Sequence, residues 1–349
     1  MNSSNILHCL SASYNFKDSF NPFISSRLNS ETSVFFTFPD KEQNSSSSEM
    51  GGTNLASKFP PYSGFSSPHK LLSIAKALSG YDLIVTHGSD ALNVAMAHRV
   101  FGEHLGLGPL VHEEVASSTF VSKEKGLKRK FFRRMALSSA KKLIVQTNAA
   151  FDFALRHWEF SGKDIEVILP GIDLKLFKGN FSASSLSGLI KRNSEFWIGA
   201  YWRPEYRSEA EQIIKALREL PDCSHVVFMC DEKVDQAVRN LVDKQGLSHR
   251  VHFLTEDANE AAVLGLCDTY VEVADPFSCL GVLKAKASSN PVLFVREPKL
   301  SSSLRNIMLD KVTRERIGTA NRKEALSYFD NSRSIQARRN VYVSVLTSQ

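Results

Sequence analysis

The segment from Leu264 to Val295 has the residue types and spacing of a nucleotide-binding unit. An apolar strand, Thr269 to Val273, leads through a polar loop, Ala274 to Cys279, to a helix that starts near Leu280. Free N–H groups and the positive end of the helix dipole meet at such a helix start, so phosphate and ribose groups bind well there. We therefore expect this segment to bind a nucleotide.

A second candidate binding element is the basic stretch at residues 123–142, KEKGLKRKFFRRMALSSAKK. On a helix, Leu127, Phe131 and Met135 form an apolar stripe, because they fall four residues apart. Phe132 and Ala136 lie beside it, and the flanking basic residues are Lys128, Arg129, Lys130, Arg133 and Arg134. This pattern suits an anionic membrane surface. It suits equally a helix packed on the core with a solvated basic face. Nucleic acid is a weaker option, because no recognition motif accompanies the basic run.

The composition bounds the class of protein. With 349 residues and 42% hydrophobic content, the chain can bury one large core or two ordinary ones, and its length slightly favours two domains. No run approaches the roughly 18 apolar residues of a membrane span, and the N-terminus lacks a signal-peptide pattern. A cytosolic location is therefore expected, where cysteines stay reduced. Neither a zinc site nor a disulfide framework is indicated by the five cysteines, Cys9, Cys223, Cys230, Cys267 and Cys279.

Strands and helices alternate along the whole chain. Strands such as LIVTH and KLIVQT are apolar on both faces, which is typical of a parallel sheet covered by helices on both sides. A polar segment, Lys41 to Gly52, is expected to be a surface loop. A second alternation starts at the strand Phe196 to Tyr201 and continues through the strand Val251 to Leu254. The sequence thus predicts two doubly wound halves, joined near residues 170 to 190.

Three blocks of the chain resemble the family 4 glycosyltransferases of the GT-B fold. ILPGIDLKLF, Ile168 to Phe177, is similar to the segment that closes the first domain of that family. IGAYWRPEYRSEAEQIIKAL, Ile198 to Leu217, is similar to the opening of the donor domain, and Ala287 to Val292 to the end of the acidic donor motif. The resemblance implies an α/β fold with two Rossmann-like domains that face each other across a cleft.

The resemblance also implies domain boundaries and an activity. The acceptor-side domain would span residues 1–170, a linker 171–190 and the donor-side domain 191–325, with a helix in 326–349 crossing back to the first domain. The implied reaction is a retaining, metal-independent transfer of a sugar from a nucleotide-sugar donor, without a cofactor. Cationic side chains and a helix N-terminus would stabilise the departing diphosphate.

On the donor side, the match is carried over residue by residue. Ala200 and Tyr206 stand where the family usually has an Arg and a Lys, so the neighbouring Arg203 and Arg207 are expected to bind the diphosphate bidentately. The alternative is that both are solvated loop arginines. Pro276 and Lys284 stand where the family has two Glu, and Ser289 where it has Gly.

Three more residues of this segment are expected to contact the donor. Asp275 is the candidate carboxylate for the ribose hydroxyls, and Ser278 lies in the same loop. Lys284 can only donate hydrogen bonds, so it would serve a donor with negative charge, for example an acidic sugar.

On the acceptor side, the first-domain segment SASYNFKDSF has no Gly, although family members usually have a Gly-rich loop there. His112 stands at a strand end where the family often has a catalytic His. Glu113, with Glu114 beside it, would position the ring or the acceptor hydroxyl. The alternative is an ordinary polar strand end. His87 ends another strand, and Gly88 and Ser89 after it offer N–H groups to an acceptor or a phosphate.

Two functions of different classes follow. The first is a glycosyltransferase that extends a lipid-linked or surface polysaccharide acceptor at the inner face of the membrane, with the basic helix as a peripheral anchor. The second is a GT-B protein that has lost its chemistry and acts as a binding or scaffold subunit, because fold does not guarantee function. Binding of nucleoside diphosphates would discriminate between them.

Overall fold

The computed structural model describes residues 4–10, 32–39, 52–55, 57–65, 67–114, 127–177, 181, 186, 189–202, 206–230, 234, 236–254, 259–273, 280–296 and 299–348. The chain divides into two compact units. Unit 1 comprises Met1–Gly171 together with Asn331–Gln349, and unit 2 comprises Ile172–Asp330. The boundaries expected from the sequence, at residues 170, 190 and 325, stay predictions.

The described strands of unit 1 are β1 (Asn5–Cys9), β2 (Ser33–Thr37), β3 (Thr53–Asn54), β4 (Leu83–His87), β5 (Leu110–Glu113), β6 (Ala140–Val145) and β7 (Ile165–Val167). They form a parallel sheet with the order β3-β2-β1-β4-β5-β6-β7. The described α-helices of unit 1 are α1 (Pro68–Ala77), α2 (Leu92–Leu105), α3 (Leu127–Leu137), α4 (Asn148–His157) and, from the C-terminal segment, α11 (Asn331–Thr347).

Local chemistry explains several of these bounds. Ser67 caps α1, since its side chain accepts a hydrogen bond from the Lys70 backbone N–H at 3.3 Å. Thr147 caps α4 in the same way, through the Ala150 N–H at 3.1 Å. Gly106 ends α2 in the left-handed conformation at φ 60°, which glycine adopts without a steric penalty.

Helix α11 packs on the sheet of unit 1. Val341, Tyr342 and Val345 are buried in one cluster with strand residues such as Val85 and Val111. The start of the helix passes so close to Gly171 that a Cβ there would lie 2.6 Å from the Asn331 Cα. This close approach gives a physical reason for the glycine of the PGIDLKLF segment.

The described strands of unit 2 are β8 (Phe196–Trp202), β9 (Ser224–Cys230), β10 (Val251–Leu254), β11 (Thr269–Glu272) and β12 (Val292–Phe294). They form a second parallel sheet, with the order β10-β9-β8-β11-β12. The described α-helices of unit 2 are α5 (Arg207–Arg218), α6 (Gln236–Lys244), α7 (Glu260–Leu266), α8 (Leu280–Ala287), α9 (Leu300–Leu309) and α10 (Lys311–Tyr328). The two doubly wound parallel sheets expected from the sequence are therefore present.

Some expectations fall on other parts of the chain. The segment SASYNFKDSF and the predicted loop Lys41 to Gly52, apart from Gly52, lie outside the described residues.

Among the helices that the structure describes, none is both long and apolar enough to cross a membrane.

Candidate functional site

In unit 1, the strand order reverses between β1 and β4, and open α/β sheets bind ligands at the carboxyl ends of such strands. A pair of histidines occupies this position. The His8 Nδ1 lies 2.9 Å from the His87 Nε2, and the two rings are stacked with centroids 5.2 Å apart. Both side chains are buried. Burial is the main cause that lowers the pKa of His8 and of His87 well below the usual value, so both rings are neutral at pH 7.

Glu113, predicted as a catalytic residue, is fully buried and is bound by α11. Arg338 donates to its carboxylate from Nε, at 3.0 and 3.2 Å, and also from its Nη2. The His87 Nδ1 lies 3.7 Å from the same carboxylate. This arrangement neutralises the charge of Glu113 and attaches α11 to β5.

His112, the other predicted catalytic residue, belongs to a separate buried cluster. Its Nδ1 lies 2.8 Å from the Thr86 hydroxyl, and its Nε2 lies 3.1 Å from the Glu114 carboxylate. Arg133 of α3 forms an ion pair with Glu114 and stacks over the Trp158 ring at 4.8 Å. Burial alone would raise the pKa of Glu114, but Arg133 and His112 lower it below the usual value.

The acceptor-side candidates of unit 1 differ in accessibility. The Gly88 N–H donates to the Glu113 carbonyl at 2.9 Å, and Gly88 has φ 69°. Ser89 is exposed, whereas His87, His112 and Glu113 are fully buried. The structure thus brings these residues to one edge of the sheet, but their roles in catalysis and acceptor binding stay predictions.

In unit 2, the strand order reverses between β8 and β11. Arg207 lies beyond β8 as the first residue of α5, and its Nε donates to Glu211 at 3.2 Å. Its side chain is 47% exposed, so it is accessible to a ligand. Tyr206 precedes it and is buried, which removes the Tyr206 ring from solvent.

Lys284 is buried on α8 and pairs with a carboxylate from the preceding helix, α7. Its Nζ donates to the Glu260 Oε2 at 2.7 Å. Glu260 is the first residue of α7, where a negative charge is favourable because of the helix dipole. Glu260, which was not among the residues predicted from the sequence, therefore balances the charge of Lys284.

A second carboxylate that the sequence analysis did not predict, Glu272, ends the interior strand β11 and is 8% exposed. The Tyr270 hydroxyl donates to its Oε2 at 3.2 Å. Gly281 allows α8 to pack here, because a Cβ would lie 2.4 Å from the Tyr270 hydroxyl and 3.1 Å from the Tyr201 ring. In the sequence, Glu272 is the one acidic residue of the apolar strand TYVEV, and this feature could have indicated the site.

Three predicted donor residues, Arg203, Asp275 and Ser278, lie outside the described residues, and their binding roles stay predictions. Ser289, where the family has Gly, adopts the left-handed conformation with φ 62°. Its carbonyl lies so close to Gly318 that a Cβ on that glycine would be 2.1 Å away. The backbone therefore keeps a glycine-type conformation at this position although the residue is serine.

Helix α3 divides its apolar residues between two faces. Arg133, Ala136 and Leu137 are buried, whereas Phe131 is 63% and Met135 41% exposed. Leu127 starts the helix, but its side chain is not described. One face of the helix thus packs on the core, and the opposite face presents two apolar side chains among cations. Binding of this exposed face to an anionic membrane stays a prediction.

No group of three or more His, Cys, Asp or Glu that could hold a metal ion occurs in the part of the chain that the structure describes. The expectation that the reaction requires neither a metal nor a cofactor stays a prediction.

No family model matches the sequence, and no curated protein shows significant similarity to it. Solved structures do match. HepE from Anabaena, in complex with UDP, has a TM-score of 0.74 at 15% identity over 99% of this chain and 100% of that chain. Sucrose-phosphate synthase from Thermosynechococcus elongatus has a TM-score of 0.76 at 14% identity over 99% and 100%. A glycosyltransferase from Rickettsia africae has a TM-score of 0.77 at 12% identity over 100% of both chains. These similarities establish the GT-B fold, while the narrower resemblance to family 4 stays a prediction.

Proposed function

We propose that this protein is a glycosyltransferase that moves a sugar from a nucleoside-diphosphate donor to a lipid-linked or polysaccharide acceptor, with retention and without a required metal. The observation that carries the proposal is the likeness over nearly the whole chain to GT-B glycosyltransferases. Structures of HepE in that set contain UDP or UDP-glucose. UDP-sugars are therefore the first donors to test.

The start of α5 supports a diphosphate site in unit 2. Arg207 is the first residue of that helix, where a cation is disfavoured by the helix dipole by about 0.3–1 kcal/mol. A bound diphosphate would reverse this penalty, because it would accept hydrogen bonds from both the guanidinium and the helix N–H groups. Arg203, close by in sequence, would add a second cation, and Asp275 would accept hydrogen bonds from the ribose.

The ion pair between Lys284 and Glu260 bears on the charge of the sugar that the donor carries. Because Glu260 lies 2.7 Å from the ammonium, the pair carries little net charge. An acidic sugar would have to compete with Glu260 for the lysine. We therefore favour a neutral hexose as the transferred group.

The acceptor is proposed to lie at the carboxyl edge of the unit 1 sheet, where Ser89 is exposed. The cations and exposed apolar residues of α3 support a lipid-linked acceptor at an anionic membrane, and hence a peripheral position on its inner face.

The second candidate function is that of a GT-B protein that has lost its catalytic activity and acts as a binding or scaffold subunit in surface polysaccharide synthesis. A specific observation favours it: His112 and Glu113 are fully buried and engaged by other side chains. In that case, the two residues hold the fold together and no acceptor hydroxyl is activated.

A turnover assay tests the proposal. Release of nucleoside diphosphate is measured with UDP-, GDP- and ADP-sugars in the presence of a bacterial lipid extract as the source of acceptor. We expect turnover with at least one donor and its loss in the double variant Arg203→Ala/Arg207→Ala.

Arg156→Ala is the matched control, because Arg156 is also an exposed helical arginine paired with an acid four residues away, Asp152. Full activity of the double variant would reject the arginine site. Absence of both donor binding and turnover in the unmodified protein would favour the scaffold instead.

A further inference from the structure

The segment at residues 57–65 crosses the carboxyl edge of the unit 1 sheet and is anchored by Tyr62. The Tyr62 hydroxyl donates to the Leu10 carbonyl at 2.7 Å and to the Thr37 carbonyl at 2.9 Å. These acceptors follow or end β1 and β2. The Tyr62 side chain is fully buried, so the segment is fixed over the ends of two interior strands, β1 and β2.

Two further side chains hold the end of this segment. Asn93, in the first turn of α2, donates to the Tyr62 carbonyl at 2.7 Å and to the Gly64 carbonyl at 2.9 Å. Lys70 of α1 donates from Nζ to the Ser63 and Phe65 carbonyls. The backbone on both sides of Gly64 is therefore tied to two helices.

Phe65 stands out from this fixed support. Its side chain is 90% exposed, although Phe59 and Tyr62 of the same segment are buried. A rigid backbone that holds a large apolar side chain in water is preorganised for binding, since little conformational entropy is lost when the side chain is covered.

The cationic face of α3 lies at the same end of unit 1. Helices α1, α2 and α3 contact one another in sequence, and α2 and α3 each follow a strand of the parallel sheet. Helix α3 ends at Leu137 and β6 begins at Ala140, so the end of α3 lies at the amino edge of the parallel sheet. Its start, with the exposed Lys128 and Arg129, therefore points toward the carboxyl edge, where the Phe65 segment lies. The Phe65 segment is held on the same side of the unit, because Asn93 belongs to the first turn of α2, which packs on α3.

We propose that Phe65 inserts into an anionic lipid bilayer while the exposed cations of α3 bind the headgroup phosphates. This surface would hold the proposed glycosyltransferase at the membrane that carries its acceptor. The inference rests on the proposed function only for the reason why the protein binds a membrane, and not for the binding itself. Lys128, Arg129 and Arg134 are exposed beside Phe131 and Met135. Aromatic side chains and cations on one face are the features that interfacial binding requires, because apolar burial and attraction to anionic lipid add together.

The substitution Phe65→Trp provides a direct reporter. The three native tryptophans, Trp158, Trp197 and Trp202, are all at most 2% exposed. Acrylamide would therefore quench mainly the fluorescence of the new tryptophan. We expect a blue shift of its emission and protection from acrylamide with vesicles of phosphatidylcholine and phosphatidylglycerol, and neither change with pure phosphatidylcholine.

Binding of the full chain is then measured by co-sedimentation with the same vesicles. We expect Phe65→Asp to weaken binding roughly tenfold, because it replaces an inserted apolar side chain by an anion. Val312→Asp is the matched control, since Val312 is 77% exposed but lies in unit 2, and it should leave binding unchanged. Urea unfolding of both variants checks that the fold is intact.

Vesicle binding that is equal in the parent protein and in Phe65→Asp would overturn the proposal. So would an emission change caused by soluble oligosaccharides and not by vesicles, because Phe65 would then contact a sugar. These assays contain no donor, so they are independent of glycosyl transfer. A protein that binds vesicles but turns over no donor would refute the proposed function and leave the membrane surface standing.

Discussion

At the residue scale, the ion pair between Arg338 and Glu113 is the contact whose loss is expected to change the free energy of unfolding most. Both side chains are at most 6% exposed. Removing one partner of a buried pair is costly because it leaves an uncompensated charge in the interior. We expect Arg338→Ala to lower the free energy of unfolding of unit 1 by about 3–5 kcal/mol, measured by urea denaturation.

Two further variants give stability changes with which the effect of Arg338→Ala is compared. Arg338→Lys keeps the charge but loses the bidentate geometry, so an intermediate loss is expected. Arg156→Ala removes an exposed ion pair and should change the free energy of unfolding by no more than about 0.5 kcal/mol. If Arg338→Ala were as mild as Arg156→Ala, the pair would not hold α11 in place.

The sequence offered no signal for this contact. Glu113 follows His112 directly in the sequence, whereas Arg338 is separated from it by 225 positions and lies in a helix with no distinguishing motif. Only the return of α11 to the sheet brings the two together. The same holds for His8, which looks like a single polar residue in the strand NILHC until β4 places His87 beside it.

At the element scale, Gly171 controls how closely α11 approaches the end of unit 1. An added Cβ would lie 2.6 Å from the Asn331 Cα and 2.9 Å from the Ser334 Cβ. We expect Gly171→Ala to cost about 1–3 kcal/mol of stability, because the helix must shift to relieve the contact. Gly162→Ala is the control, since its nearest neighbour is a side-chain atom at 3.5 Å. Thermal unfolding of the two variants compares them, and equal melting temperatures would contradict the packing argument.

The pair of helices α7 and α8 allows a test of Lys284. Lys284→Glu would place a carboxylate against Glu260, so we expect a loss of about 1–3 kcal/mol in urea unfolding. Adding Glu260→Gln should recover part of that loss, because the repulsion is removed. A Lys284→Glu protein with unchanged stability and altered donor preference would instead assign the lysine to the donor.

At the scale of the whole molecule, buried histidines predict sensitivity to acid. Burial is the largest cause of a lowered pKa at five positions, His8, His87, His98, His225 and His252. Both units contain a close pair, since the His225 Nδ1 lies 3.1 Å from the His252 Nε2. In the folded state these rings take up protons at lower pH than in the unfolded chain, where histidines have a pKa of about 6.5.

Stability should therefore be complete above about pH 6.5 and fall as the pH drops below it, by up to about 1.4 kcal/mol per pH unit for each such histidine. Glu114 and Glu195, whose pKa values are lowered, contribute only at more acidic pH. Urea midpoints measured at pH 7.5 and 5.5 check this, and His225→Gln should reduce the difference. A midpoint that does not change over this range would contradict the buried neutral state.

The fold was largely accessible from the sequence, because apolar periodicity is local. The strand Val251–Leu254 agrees with its predicted bounds. Helix α2 ends at Leu105, since Gly106 follows it in the left-handed conformation. The candidate site was less accessible. Whether His112 faces a substrate or the core, and whether Lys284 meets a donor or Glu260, depends on neighbours from distant parts of the chain.

The most direct test of the central claim is calorimetric titration of the full chain with UDP, GDP and ADP. A glycosyltransferase with its donor site at the carboxyl ends of β8 and β11 should bind at least one of them with a single site. Arg203→Ala/Arg207→Ala should weaken that binding at least tenfold, whereas Arg156→Ala should not. The absence of binding for all three nucleotides would contradict the account and favour a scaffold that kept only the fold.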